Sequence, residues 1–265
     1  MFGILRGARV IAHREILRFL QEPSRMVGSF AMPLLFLVIF GVGLEKLVGS
    51  LAPGVGYLSF MYPGILGMTV VMTSLFSGLS VVWDREFGFL KEVLASPLPR
   101  SGVVLGKATG GALVALLQVL MLLIPSRALG VHLTFARLVE LVPIIVIVSL
   151  AVSGLGILVA ARMRSQQGFQ VVMQVLVFPL MFLSGVFFPP TRVPAWLRVV
   201  VRLNPVTYGV DAIRQVVLGL HPTAGGATGV VLFGHVLGAW TEIGLVAALG
   251  TVLIALAAWS FSKVG

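Results

Sequence analysis

The stretch Trp83–Lys107, WDREFGFLKEVLASPLPRSGVVLGK, decides how this chain is read. It is a polar island between two long uncharged runs, with Asp84, Arg85, Glu86, Lys91, Glu92, Arg100 and Lys107 set around Phe87, Phe89, Leu90, Val93 and Leu94. The pattern predicts a short amphipathic helix over 84–99 between two membrane spans. Asp84 is its N-cap and Ser96-Pro97 its stop, because a proline pushes the residue before it out of the α region. Two readings of that helix are open. It is a charged turn with no partner, or it is a docking helix. In the second case its apolar side (Phe87, Leu90 and Leu94, at i, i+3 and i+7) enters a groove on another protein while its charges set the orientation. Two exposed phenylalanines favour docking, since a turn needs only a few residues and no apolar face.

Outward from the island, composition sets the class. The chain has 265 residues, of which 58% are apolar and 11% charged, with a mean hydropathy of +1.07. Soluble domains carry about a quarter charged residues, so the expectation is an all-α integral membrane protein. Cysteine is absent, which excludes disulfides, thiolate metal sites and a cysteine nucleophile. The net charge of +10 has the sign expected of a nucleic-acid binder. The basic residues, however, stand at the ends of apolar runs rather than on one polar face, which points to membrane lipid and not to nucleic acid.

A helix crosses the hydrocarbon core with about 20 mostly apolar residues, and the uncharged runs supply six candidates. They are Met26–Leu44, Gly64–Trp83, Ala108–Ser126, Leu141–Ala161, Gly168–Pro189 and Ile243–Ser262. Pro53-Gly54 and Tyr62-Pro63-Gly64 read as an outer loop and the entry to the second span. Before the first span, 4–22 sets Leu5, Ala8, Ala12, Ile16 and Phe19 along one helical face and Arg6, His13, Arg14 and Arg18 along another. That is the pattern of an interfacial helix on an anionic leaflet. With the N-terminus inside, twelve of the 19 Lys and Arg fall on the inner side, so both termini and the island are expected to be cytoplasmic.

Between the fifth and sixth spans, 191–219 alternates basic and apolar residues. Asn204-Pro205 reads as an N-cap with proline at the first helical position. In the helix that follows, Val206, Val210, Ile213 and Val217 share one face, and Tyr208, Asp211 and Arg214 share another. Neither piece is long enough to span, so the expectation is a helical pair that dips into the outer leaflet and returns.

Catalytic motifs are weak. SGVVLGKAT around Lys107 has one residue too few for G-x-x-x-x-G-K, and Ala108 stands where a magnesium-binding Ser or Thr belongs. Gly106 and Gly110 suit close helix packing. The four histidines are scattered, and no H-E-x-x-H or G-x-S-x-G occurs. The candidate spans hold no Asp, Glu, Lys or Arg, whereas ion-coupled transporters keep such groups at membrane depth. The energy for any pumping is therefore expected from outside the chain. Gln170 and Gln174, in register with Gln166, and Gln118 in the third span either line a path for an amphiphile or bond helix to helix.

These residues carry a resemblance. The island resembles the loop after the second span in membrane subunits of type-2 ABC exporters, where D-R-E-x-G-x-[LF]-[EK]-x-L-x-x-S-P-x-x-R recurs; Lys91-Glu92 is a departure within it. FLSGVFFP (Phe182–Pro189) and NPVTYGVDAIRQVVLG (Asn204–Gly219) are similar to two further marks of that family, in its order. The daunorubicin-resistance and nodulation-type permeases are the nearest branch. The resemblance implies one permease domain over 1–265 with six transmembrane helices, an N-terminal elbow helix, a cytoplasmic coupling helix and an outer re-entrant pair. On that analogy Asp84, Arg85, Glu86, Phe87, Gly88, Leu90, Leu94, Ser96 and Pro97 dock an ATPase subunit. Asn204, Pro205, Tyr208, Asp211 and Arg214 form the re-entrant motif. ATP and magnesium belong to the partner ATPase subunit, with no cofactor, catalytic residue or metal site in this chain, and a second permease copy or a related permease chain completes the pathway. The implied activity is export of a hydrophobic drug, lipid or lipid-linked glycan across a bacterial or archaeal cell membrane, as in multidrug efflux and antibiotic resistance. An ion-coupled secondary transporter or channel is the alternative, and an intramembrane enzyme would need a catalytic dyad.

Overall fold

The computed structural model describes residues 2–52, 55–87, 100–127, 129–220, 229–232 and 235–262. Helix α1 (Phe2–Gln21) buries Ala12 and Phe19 and leaves Arg9, His13 and Arg14 exposed, the division its periodicity predicts. Glu22 separates it from α2 (Pro23–Phe36), which takes proline at its first position, where the missing N–H costs nothing. The first span, Met26–Val48, continues from α2 through a π-helical stretch, Leu37–Val42, into α3 (Gly43–Val48). Pro33 lies inside α2, one turn before the ladder widens.

A small antiparallel ribbon, β1 (Ser50–Ala52) with β2 (Val55–Gly56), leads to α4 (Tyr57–Phe76) and α5 (Leu79–Glu86). Here the structure corrects an expectation. Tyr62-Pro63-Gly64 is no loop; it lies within α4 and is buried. Proline interrupts helices in water, but in a membrane helix neighbouring elements take over the packing and bonding that it disturbs. Tyr62 donates its hydroxyl to the Leu122 carbonyl at 2.8 Å, and Tyr57 donates to Phe187 O at 3.3 Å.

The chain then runs through α6 (Arg100–Leu122), α7 (Phe135–Ala160), α8 (Gln166–Phe182), α9 (Ala195–Leu203), α10 (Pro205–Leu218) and α11 (Ala239–Ser262). A second ribbon, β3 (Val231–Leu232) with β4 (His235–Val236), precedes α11. Five stretches are long and apolar enough to cross a membrane, namely Met26–Val48, Tyr57–Glu86, Ser101–Arg127, Phe135–Ala160 and Ala239–Phe261; α8 is apolar but has 17 residues. At 1.5 Å per residue α8 covers about 25 Å, slightly less than the ~30 Å hydrocarbon core. The expected fifth span, Gly168–Pro189, thus stops at Phe182. Pro179 lies in its last turn and Gly185 adopts φ +78°, a left-handed conformation that ends helical geometry.

Close packing is built on small residues. The most extensive helix pairing among the described residues is α1 on α6, where Gly106 and Gly110 face Ala8, Ile11, Ala12 and Glu15. A Cβ at Gly106 would come within 2.8 Å of Ile11 Cβ. At the break between α4 and α5, Gly78 meets Gly156 of α7 backbone to backbone; a methyl on either would overlap a carbonyl oxygen of the other segment. The core lies between α4, α7, α10 and α11, with Leu66, Ile145, Val210, Ile213 and Val246 buried in it. Helix α10 is therefore packed against α4, α7 and α11, with most of its residues buried. Its polar face turns into an internal cluster.

Candidate functional site

Of the residues singled out at the island, Asp84, Arg85, Glu86 and Phe87 gather at one end of the bundle, where α5, α6, the α7–α8 turn and α1 meet. Asp84 is not an N-cap. It lies in the last turn of α5, 8% exposed, because the helix that carries the second span runs on to Glu86. Its Oδ2 receives Lys107 Nζ at 2.7 Å. The same ammonium donates to Ser80 Oγ at 2.9 Å and approaches Glu15 Oε1 at 3.8 Å, while Arg14 Nη2 stands 3.6 Å from Asp84 Oδ1. Lys107, 3% exposed, is thus held inside α6 by α5 and α1.

Arg85 leaves α5 on the other side. Its Nη1 donates to Met163 O at 2.6 Å and its Nη2 to Ala161 O at 3.0 Å, two carbonyls of the α7–α8 turn. Glu86 Oε2 accepts the amide of Gln166, the first residue of α8, at 3.2 Å. A planar guanidinium is suited to two carbonyls at once, where an ammonium is a single point donor. Phe87 caps α5, is exposed, and stacks at a tilt on Trp83 with ring centroids 5.4 Å apart. Gly88, Leu90, Leu94, Ser96 and Pro97 lie outside the described residues.

The glutamines separate. Gln118 is buried and accepts a hydrogen bond from Thr73 Oγ1, tying α6 to α4. Gln170 and Gln174 are exposed on one face of α8, beside Val171, Val175 and Phe178. On the neighbouring face a cleft of about 370 Å³ opens between α2, α4 and α8, and its lining includes Met32, Met68, Met72, Met181 and Phe178. Unbranched methionines repack around varied apolar shapes.

At the opposite end, Asn204 Oδ1 accepts the Val206 amide at 3.0 Å, and Pro205 opens α10, as expected of the N-cap. Asn204 Nδ2 also donates to Leu180 O at 2.8 Å, and Tyr208 donates to Arg202 O at 2.7 Å. Arg214 is fully buried. Its Nη2 donates to Gly185 O at 2.6 Å, its Nη1 lies 3.5 Å from Asp211 Oδ1, and its guanidinium carbon is 3.9 Å from the Phe60 ring centroid. Asp211 Oδ2 accepts from Val230 N at 3.0 Å and from Gln215 Nε2 at 3.1 Å. That same Gln215 nitrogen donates to Glu242 Oε2 at 3.2 Å and to Leu237 O at 3.0 Å.

Multiple apolar helices with a buried polar root at one end describe a multi-pass membrane protein. The ABC-2 type transporter family matches residues 7–218, which takes in the island, the cleft and α10. The chain belongs to that family. Its relatives include a transport permease, ycf38 of Cyanophora paradoxa, 30% identical over 218 residues and covering 80% of this chain and 74% of that one. Nodulation protein J of Rhizobium leguminosarum bv. trifolii is 29% identical over 201 residues, covering 75% of this chain and 76% of that one. YbhR of Escherichia coli K12, named as a multidrug ABC transporter permease, is 30% identical over 171 residues, 63% of this chain and 45% of that one.

Within this ABC-2 fold, Lys107, Glu15, Gln215 and Glu242 hold site positions that sequence reasoning did not assign. The uncharged run begins at Ile243 and leaves Glu242 outside it, whereas α11 begins at Ala239 and includes it. The chain has nine Asp and Glu, and Glu242 is the one after Asp211. An isolated acid at the edge of an apolar run was the available signal. The observed spans are longer than the uncharged runs and take in buried charges, Asp84 in Tyr57–Glu86, Lys107 in Ser101–Arg127 and Glu242 in Ala239–Phe261, so the expectation of charge-free spans is corrected.

Proposed function

We propose that this chain is the membrane subunit of an ATP-driven exporter of hydrophobic or amphiphilic compounds, with ATP hydrolysed by separate ATPase subunits that dock on the island from Asp84 to Pro97. The observation that carries this reading is the double clamp of Arg85 on Met163 O and Ala161 O. The island grows from the end of α5, and a force applied there reaches the α7–α8 turn through two hydrogen bonds and through Glu86 on Gln166. A loop that served only as a turn would need no such brace. Asp84 then roots the docking helix, while Phe87, Leu90 and Leu94 supply its apolar contact.

The methionine-lined cleft between α2 and α8 supports an apolar or amphiphilic cargo, drug, lipid or lipid-linked glycan. Gln170 and Gln174 beside it support a second copy of the chain or a related permease against α8, because glutamines facing lipid tails would leave their amides without partners. On this reading the island and both termini face the cytoplasm of a bacterial or archaeal cell, and 191–219 lies at the outer mouth.

The test is reconstitution with the ATPase chain that co-purifies. Arg85→Ala should keep ATP hydrolysis and association and lose most transport, because the brace and not the docking face is removed. Wild-type transport by Arg85→Ala, or transport by the chain alone driven by an ion gradient, overturns the proposal.

A further inference from the structure

Where α10, α11, Val230 and Leu237 meet, three charged side chains are shut away together. Arg214, Asp211 and Glu242 are 0%, 1% and 0% exposed. One guanidinium faces two carboxyl groups, so the cluster carries an uncompensated negative charge if both acids are ionised. An unpaired buried charge is among the costliest arrangements in a protein, and a group so placed takes up a proton instead. The hydrogen-bond pattern has room for that proton. Glu242 Oε2 is taken by Gln215, but Oε1 has no partner among the described residues. Gln215 Nε2 stands 3.1 Å from Asp211 Oδ2 and 3.2 Å from Glu242 Oε2, so the two carboxyls face each other across one nitrogen, and two carboxyls shut away that close keep company only when one is protonated.

We propose that Asp211 and Glu242 together hold one proton, and that this shared proton fastens α11, Val230 and Leu237 to α10 at the end opposite the island. The contacts that depend on it are named bonds. Asp211 Oδ2 holds the Val230 amide, and Gln215 Nε2 spans Asp211, Glu242 and Leu237 O. With the proton gone, two carboxylates repel across a single amide nitrogen, and the three segments part. Among the described residues no further cation is paired with Glu242 to replace it. On α7, Glu140 is engaged by the Trp240 indole at 3.1 Å, and the Arg137 guanidinium is packed on Gly219. On α10 the Tyr208 hydroxyl is committed to Arg202 O. On α4 the Tyr62 and Tyr57 hydroxyls are bonded to Leu122 O and Phe187 O. On the ribbon His235 is exposed.

The sign of the pH dependence follows. The native state binds one proton that the unfolded chain releases in the ordinary carboxylate range, so stability falls as pH rises above ~4. The experiment uses the purified full chain in lipid nanodiscs and needs no ATPase partner, so its outcome is separate from the exporter reading. Infrared absorption in the carboxylic-acid region should show one protonated, buried carboxyl per chain at neutral pH, and the thermal midpoint should fall between roughly pH 6 and pH 9. Glu242→Gln, which puts an amide where the protonated acid stood, and Asp211→Asn, which leaves one carboxylate for one guanidinium, should each remove that absorption. Glu242→Gln should also flatten the pH slope. If either variant fails to fold, the wild-type absorption and slope decide alone. No protonated carboxyl in the wild type, or an undiminished one in both variants, overturns the proposal.

Discussion

Lys107 Nζ and Asp84 Oδ2 meet at 2.7 Å where the second and third spans emerge toward the island, both nearly closed to solvent. A buried pair of this kind costs most when it is broken from one side. Lys107→Met leaves Asp84 with the more distant Arg14, and Asp84→Leu leaves Lys107 with Ser80 and Glu15 at 3.8 Å. Each single change is expected to destabilise by about 3 to 5 kcal/mol, and the double change Asp84→Leu/Lys107→Met by much less than the sum. Thermal unfolding of the four proteins in detergent checks this, and additive losses would show that the pair is not a unit.

The glycine contact of Gly78 with Gly156 gives a packing prediction. Gly156→Ala drives a methyl into the Leu75 carbonyl, and no flexible side chain is there to yield. The expected loss is about 1 to 3 kcal/mol, with α4 and α5 displaced from α7. Gly28→Ala is the control, since its added Cβ meets nothing within 4 Å. Midpoints of thermal unfolding should fall for the first and hold or rise for the second.

How much of this was legible beforehand differs from element to element. Helix α1 and the Asn204-Pro205 start of α10 follow from periodicity and cap chemistry, which are local. Tyr62-Pro63-Gly64 has the composition of a turn because turn rules for proline assume water, and here Tyr62 and Gly64 are packed against Leu122 and Val186. A charge at the end of an apolar run reads as the end of a span, which makes Asp84 a cap on paper. In fact Lys107 lets α5 and α6 keep their charges inside. The pairing of Asp211 with Glu242 joins residues 31 positions apart through Gln215, and no periodic pattern in one chain encodes such a meeting.

The docking face is tested at Leu90. If Phe87, Leu90 and Leu94 enter a groove on the ATPase subunit, Leu90→Ala removes roughly 1.5 to 3 kcal/mol of apolar contact and weakens association about tenfold or more, with insertion intact. Glu86→Lys loses its bond to the Gln166 amide and reverses one orienting charge. It should lower transport and stimulated ATP hydrolysis more than it lowers association. A pull-down of the ATPase partner beside a transport assay separates the two. Full association by Leu90→Ala would move the docking face elsewhere.

Arg198 and Arg202 repeat at i, i+4 on α9, a like-charge spacing that weakens a helix unless anions lie near. Arg198 Nη2 is drawn back to Thr191 O at 3.4 Å and Val193 O at 3.3 Å, and among the described residues neither arginine is paired with a carboxylate. Around the helix from them, Trp196, Val199, Val200 and Leu203 are exposed. An apolar face beside two cations matches a lipid–water boundary, with acyl chains against the first and headgroup phosphates against the second. Between Arg198, Arg202, Thr191 and Val230 a cavity of about 150 Å³ is available to a headgroup phosphate. With each basic residue worth ~1 kcal/mol at an anionic surface, replacing both with Gln should weaken binding of phosphatidylglycerol about thirtyfold while insertion persists. Arg127→Gln, an exposed arginine at the same end, should change little. Native mass spectrometry with phosphatidylglycerol and phosphatidylcholine reads the difference. If lipid binding is unchanged and only export of acidic cargo is lost, the two arginines serve the transported compound and not the bilayer.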